Sequence, residues 1–294
     1  ANPSALTMAS ISKMLQYIKF LRINYPPKLY LMLFLQKTAS GGLNFVPEMS
    51  ESMKKDIPDK TLPFNFEIHK VHSNFLVGFW QPLMSMVITV GLAGIIYLIE
   101  TQMQSYKSFH SLMTKISPHI KWNFFLTVFC SNYCDLAFYT ATSFIAGNFE
   151  SVIAVLGFLI CLLLNTLAFF IIVFMVQTIV ALRTARSHNS EDQVKKQNEK
   201  YKMIFEVFQD QTFFQQSFIA FFCIRGYIYS TVIGFLYNYP VVQAILLLLL
   251  CVLTLIYLFI KRPMKILINY IQQIFCEIIL LAVKLWVLLM TIID

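Results

Sequence analysis

Three stretches of this chain, Phe75 to Ile99, Ser151 to Leu182 and Val241 to Ile260, run without a charged residue. This feature constrains the fold more than any other. A helix needs about 20 mainly apolar residues to cross the hydrocarbon of a bilayer, and only a helix or a closed barrel satisfies its backbone polar groups there. The continuous Leu, Ile, Val and Phe runs have neither the period-two alternation of barrel strands nor the spaced apolar stripe of a water-facing helix. They read as transmembrane helices.

Three further blocks have the length and apolarity of crossings but hold charges: Lys121 to Gly147 with Asp135, Thr212 to Leu236 with Arg225, and Met264 to Ile293 with Glu277 and Lys284. A seventh, Ala5 to Ile23, carries Lys13, Lys19 and Arg22. It either crosses or lies as an amphipathic helix in the interface. Composition agrees with a membrane chain. Of 294 residues 57% are hydrophobic and 13% charged, against roughly 25% charged in a soluble domain, which leaves too little polar surface to coat a water-soluble globule. The expected fold is all-α, a polytopic transmembrane bundle of about seven spans forming one membrane domain over 1–294.

Basic residues order these spans, because short loops rich in Lys and Arg stay on the cytoplasmic side. Lys107, Lys115 and Lys121 lie in one connection. Arg183, Arg186, Lys195, Lys196, Lys200 and Lys202 lie in a second, and Lys261, Arg262 and Lys265 in a third. The alternate turns at 146–150 and 237–240 have no Lys or Arg. The net charge of +8 is therefore a topology signal and not a nucleic-acid surface. Residues 24–74 become a long external loop, 183–203 a cytoplasmic linker, and the carboxyl end is external. Within the external loop, Lys28 to Gln36 is too short to span. No cleavable signal peptide is recognisable, because the basic residues lie within the first apolar stretch and not before it.

All six cysteines, at 130, 134, 161, 223, 251 and 276, fall inside expected spans, which is no secreted disulfide framework. Cys130 and Cys134, spaced i and i+4, read as small buried residues at a helix contact more readily than as a soft-metal pair. His69 and His72 have metal-like spacing without a third ligand. There is no phosphate loop, nucleophile elbow or zinc-protease motif. No enzyme activity, cofactor or metal is expected, and the partners are the bilayer and other membrane subunits or further copies.

An intramembrane charge facing lipid costs several kcal/mol, so such groups turn toward protein or water. Asp135, Arg225, Asn269, Gln273, Glu277 and Lys284 are the candidate intramembrane polar set. Asn269, Gln273 and Glu277 recur at steps of four, with Lys284 seven later, which draws a polar stripe along the last helix. The stripe lines an ion path, or it supplies interhelical pairs such as Arg225 with Asp135 or Glu277. Pro82, inside the first uncharged block, is expected to kink that helix and is a candidate hinge.

Short features run in order through nearly the whole chain: Leu15-Gln16, Asn24-Tyr25-Pro26, Asn44-Phe45-Val46-Pro47, Ile120-Lys121-Trp122-Asn123, Phe221-Phe222-Cys223-Ile224-Arg225 with Tyr229, Tyr239-Pro240 with Gln243, Tyr257 with Arg262-Pro263, and Glu277. In this the chain resembles the carboxyl-terminal membrane region of ciliate surface proteins with cysteine-rich, furin-like repeats. More distantly it is similar to the fungal flavin-carrier and transient-receptor-potential-like (TRP-like) channel family. The resemblance implies a voltage-sensor-like bundle with a cation path in a surface or ciliary membrane, following an external region, so that residue 1 would be internal to a longer protein. The chain departs from a tetrameric cation channel in one respect. The turns at 237–240 and 261–265 are too short for a re-entrant filter, which leaves only Thr38 to Gly42 as a place for one. The two functions expected are a cation channel or transporter subunit, and a non-conducting structural anchor of a larger membrane complex.

Overall fold

The computed structural model describes residues 3–23, 25, 46–102, 122–187, 201, 204 and 208–293. Among them the fold is all-α, with helices, turns and one isolated antiparallel bridge between Phe208 and Met264. The helices are α1 (Pro3–Tyr17), followed by a 3-10 turn at Ile18–Phe20, α2 (Glu51–Lys55), α3 (Phe64–Glu67), α4 (Phe75–Gly78), α5 (Trp80–Gln102), α6 (Phe124–Ser131), α7 (Tyr133–Ala146), α8 (Val152–Ser187), α9 (Phe213–Gln216), α10 (Phe218–Phe235), α11 (Pro240–Lys261) and α12 (Leu267–Ile293). The Lys28 to Gln36 run, the Thr38 to Gly42 re-entry candidate and most of the cytoplasmic linker lie outside the described residues.

Among the described residues five helices are long and apolar enough to cross a membrane: α5, α8, α10, α11 and α12. The surfaces of α5 and α8 expose Val87, Leu92, Leu98, Leu163 and Phe170, which suits a hydrocarbon solvent. The other two expected crossings have a different form. The block from 121 to 147 is two helices of 8 and 14 residues, broken at Asn132 (φ −103°, ψ 7°). The 15 residues of α1 do not lie as an isolated interfacial helix. They pack into the bundle against α12, α10 and α6.

Local chemistry explains the ends. Gly147 terminates α7 in the left-handed region (φ 52°), where the absence of a Cβ removes the strain. Pro240 opens α11 at a position that has no intrahelical N–H bond to lose. The chain breaks at Phe79, between α4 and α5, three residues before Pro82, which falls in the first turn of α5. Bonds from Phe79 N–H to Phe75 O and from Leu83 N–H to Phe79 O cross the junction, and Pro82 has no N–H to give Gly78 O. Helix α8 continues five residues beyond Leu182, into the segment expected to be linker.

Packing between α7 and α10 depends on small residues. A Cβ added at Gly234 would meet the Ala141 side chain at 2.3 Å, and one at Gly226 would meet Cys134 Sγ at 2.9 Å. Such positions let helix backbones approach closely. At one end of the bundle Lys60 pairs with Glu150 (3.0 Å) and Asn148 donates to Pro58 O (2.7 Å), while Phe66 meets Tyr237 edge-on. At the other end Arg186 binds Asp210 (2.8 Å) and Gln209 N–H donates to Pro263 O (2.7 Å). The lysine-poor turns thus share an end with residues 58–74, and Arg186 and the turn at 261–265 lie together at the opposite end.

Candidate functional site

The most polar face of α1 is turned into the protein. Thr7, Ser10, Lys13 and Tyr17 follow one another at three- and four-residue steps and all are buried, forming one helix face. Lys13 reaches the break between α6 and α7. Its Nζ donates to Ser131 O (2.9 Å) and Asn132 Oδ1 (2.8 Å), and ion-pairs with Asp135 Oδ2. Asp135 Oδ1 accepts from the Tyr17 hydroxyl. The interrupted helix makes this arrangement favourable. The carboxyl end of α6 carries partial negative charge from unpaired carbonyls and faces an ammonium, while Asp135 lies in the first turn of α7, where partial positive charge favours a carboxylate.

A cavity of about 330 Å³ leads to this pair. Its wall is formed by α1 with its 3-10 turn (Gln16, Lys19, Phe20), by the segment before α4 (Glu48, Lys54, His69, Lys70, His72) and by the start of α5 (Trp80, Gln81, Pro82). Asp135 and Tyr139 contribute from α7. The mouth lies at the end that holds residues 58–74, and Lys13 and Asp135 line the interior. Of the sequence-derived candidates, Asp135 and Pro82 line the cavity, and the others do not.

Arg225 and Glu277 form a second centre, closed off from it. The guanidinium grips the carboxylate with two nitrogens, Nη1 on Oε1 and Nη2 on Oε2 at 2.7 Å. Gln273 Nε2 adds a bond to Oε1 (3.0 Å), and the guanidinium carbon lies 5.6 Å from the Phe222 ring centre. Both charged side chains are 1% exposed or less. Of the two partners considered for Arg225, the structure selects Glu277, and Asp135 is taken by Lys13.

Lys284 forms a third buried centre. Its Nζ binds the Tyr229 hydroxyl, which itself donates to Met14 O of α1 (2.6 Å), and it lies 4.2 Å from the Tyr229 ring centre. No carboxylate pairs with it among the described residues. Gln273, Glu277, Leu280, Lys284, Val287 and Thr291 are the buried face of α12. Asn269, in the first turn of α12, is half-buried and does not join the network.

Cys130 and Cys134 lie on either side of the Asn132 break and are free thiols, buried in helix contacts. His69 Nε2 is 2.9 Å from Lys19 O, whereas His72 Nδ1 accepts from Asn74 N–H at 3.0 Å, so the two rings serve different partners. Burial holds both imidazoles below the ordinary histidine range. At His69 the Lys19 charge adds to the effect, and at His72 the Lys54 charge adds while Asp59 opposes it.

Lys13, Gln16, Tyr17 and Tyr229 were not among the sequence-derived candidates. For the three on α1 the signal was the polar spacing along that helix, of the same kind as that along α12; Tyr229, on α10, had none. The charges in block 5–23 counted only against its crossing. Comparison with known proteins gives no match to a family model, to a curated protein sequence or to a solved structure.

Proposed function

We propose that this chain is a membrane-embedded helix bundle of the channel-or-transporter class, in which the Lys13–Asp135 cavity receives a small charged solute or ion. The observation that carries this reading is a polar cavity that ends on an ion pair at a broken helix. Discontinuous helices with exposed half-helix ends are how membrane transporters build charged sites at mid-depth. A cavity blocked by an ion pair suits a transporter with a closed intermediate more than an open pore. In this reading the bundle crosses seven times, with α1 and the α6–α7 pair as the irregular crossings. Its carboxyl end is external, and it belongs to a TRP-like assembly at a cell-surface or ciliary membrane.

A second reading has its own observation. The Arg225–Glu277 pair is sealed from solvent and its carboxylate is fully engaged, although Arg225 Nε has no hydrogen-bond partner among the described residues, as expected of a non-conducting anchor in which charges only hold helices together. Flux of ions and small anions into vesicles reconstituted with the full chain separates the two. In the transport reading Asp135→Asn reduces flux at unchanged protein incorporation. Absence of flux above empty vesicles in the wild-type chain favours the anchor.

A further inference from the structure

The ion pair inside the cavity has little left to offer a ligand. Lys13 Nζ already has three acceptors, and both oxygens of Asp135 are engaged. The unused chemistry lies on the walls. Gln16 is 6% exposed, lines the cavity, and has no side-chain partner among the described residues. Trp80, also on the wall, has a buried Nε1–H with no acceptor. A buried polar group without a partner is unfavourable, so a ligand that completes its hydrogen bonds is stabilised there. Lys19 lies toward the mouth over the Phe20 ring, 5.1 Å from its centre, and no carboxylate pairs with it among the described residues.

These free groups share a sign. The indole nitrogen only donates, the lysine only donates, and the glutamine amide donates as well as accepts. The lining has four lysines, at 13, 19, 54 and 70, against two carboxylates, Glu48 and Asp135. Asp135 already neutralises Lys13 and Glu51 pairs with Lys54 (2.9 Å), which leaves Lys19 and Lys70 against Glu48. A cation entering here would meet excess positive charge and find Asp135 occupied. Phe20, Val77, Pro82 and Tyr139 supply an apolar flank, and the volume lies at the small end of the roughly 300–1,000 Å³ typical of ligand sites.

We propose that the cavity binds a small oxyanion, a carboxylate or phosphate group, received by Gln16 and Lys19 beside the Trp80 ring. The group is either free in solution or the head of a membrane lipid. The inference rests on the solute-handling reading of the same cavity and names the class of solute.

Trp80 supplies the readout. The chain has three tryptophans, so Trp122→Phe with Trp286→Phe leaves the cavity indole as the sole reporter. The full chain in phosphatidylcholine discs is titrated with inorganic phosphate and with acetate. A second arm raises the phosphatidate content of the disc with no soluble anion. The expected result is a saturable change in Trp80 emission, with half-saturation weakened about tenfold or more by Lys19→Met and by Gln16→Leu. A response to soluble anions identifies a free ligand, and a response to phosphatidate alone identifies a lipid head. Binding of labelled phosphate and of labelled phosphatidate to the unmodified chain repeats both arms without the tryptophan changes. The proposal is overturned if neither arm saturates, or if Lys19→Met and Gln16→Leu leave the response unchanged. Anion binding without flux overturns the transport reading alone, whereas cation flux without anion binding overturns this inference alone.

Discussion

Arg225 is the clearest case of a single residue fixing a contact between helices. Its two-nitrogen grip on Glu277 joins α10 to α12 at a site where neither side chain meets solvent. Taking two charges into a low-dielectric interior is costly, and their attraction offsets that cost only while both are present. Arg225→Leu leaves the Glu277 carboxylate buried with Gln273 alone. It is expected to destabilise the bundle by about 3–5 kcal/mol, whereas Arg225→Leu with Glu277→Leu recovers most of the loss. Thermal unfolding in detergent, with the monodisperse yield as a second measure, checks both. Equal stability of the single variant and the wild type would show that the pair does not hold the helices. At Gly234 the constraint is one of space, since an added Cβ would overlap the Ala141 side chain. Gly234→Val is expected to cost about 1–3 kcal/mol or more in the same unfolding measurement.

At the scale of elements, apolar length placed α5, α8, α10, α11 and α12, even where Arg225 interrupts α10 and Glu277 and Lys284 interrupt α12, because a run of about 20 mainly apolar residues has few alternatives to a membrane helix. The inward stripe of α12 was also legible, since Gln273, Glu277 and Lys284 repeat at the helical period. Partners were not legible. The spacing left Arg225 free to pair with Asp135 or Glu277, and the choice depends on Lys13, which the sequence presented as an obstacle to crossing and not as the partner of Asp135. The break at Asn132 was hidden too. It contains neither Pro nor Gly, and it is stabilised by tertiary contacts from Lys13 to Ser131 O and Asn132 Oδ1. Pro82 stands three residues after the break at Phe79, in a helical stretch that has already begun at Phe75. Pro82→Ala is expected to change stability by less than about 1 kcal/mol and to leave α5 intact. A larger loss in thermal unfolding would show that the packing of α4 and α5 depends on the break.

Across the whole molecule, one end is covered by residues 46–74 and the other holds Arg186 and the turn at 261–265, and these ends should respond differently to solution conditions. His69 and His72 belong to the covered end, and burial depresses both from the ordinary value of 6.5. The folded state therefore resists protonation more than the unfolded chain does. Stability is fully present above about pH 6.5 and falls as pH drops through that value toward the depressed folded values. The apparent unfolding temperature should decline between pH 7 and 5, and His69→Gln with His72→Gln should flatten that decline. The sidedness of the two ends is testable because the native thiols are shielded, five buried and Cys276 half-buried. A cysteine introduced by Glu150→Cys should react with an impermeant maleimide from outside the cell, and one introduced by Thr184→Cys only after permeabilisation, since α8 separates them. Labelling of both from one side would remove α8 as a crossing, and the reverse pattern would invert the charge-based orientation. Asn2→Cys then decides α1. Protection until permeabilisation gives seven crossings, while reaction from outside gives six and makes α1 a plug that enters and leaves by the same face.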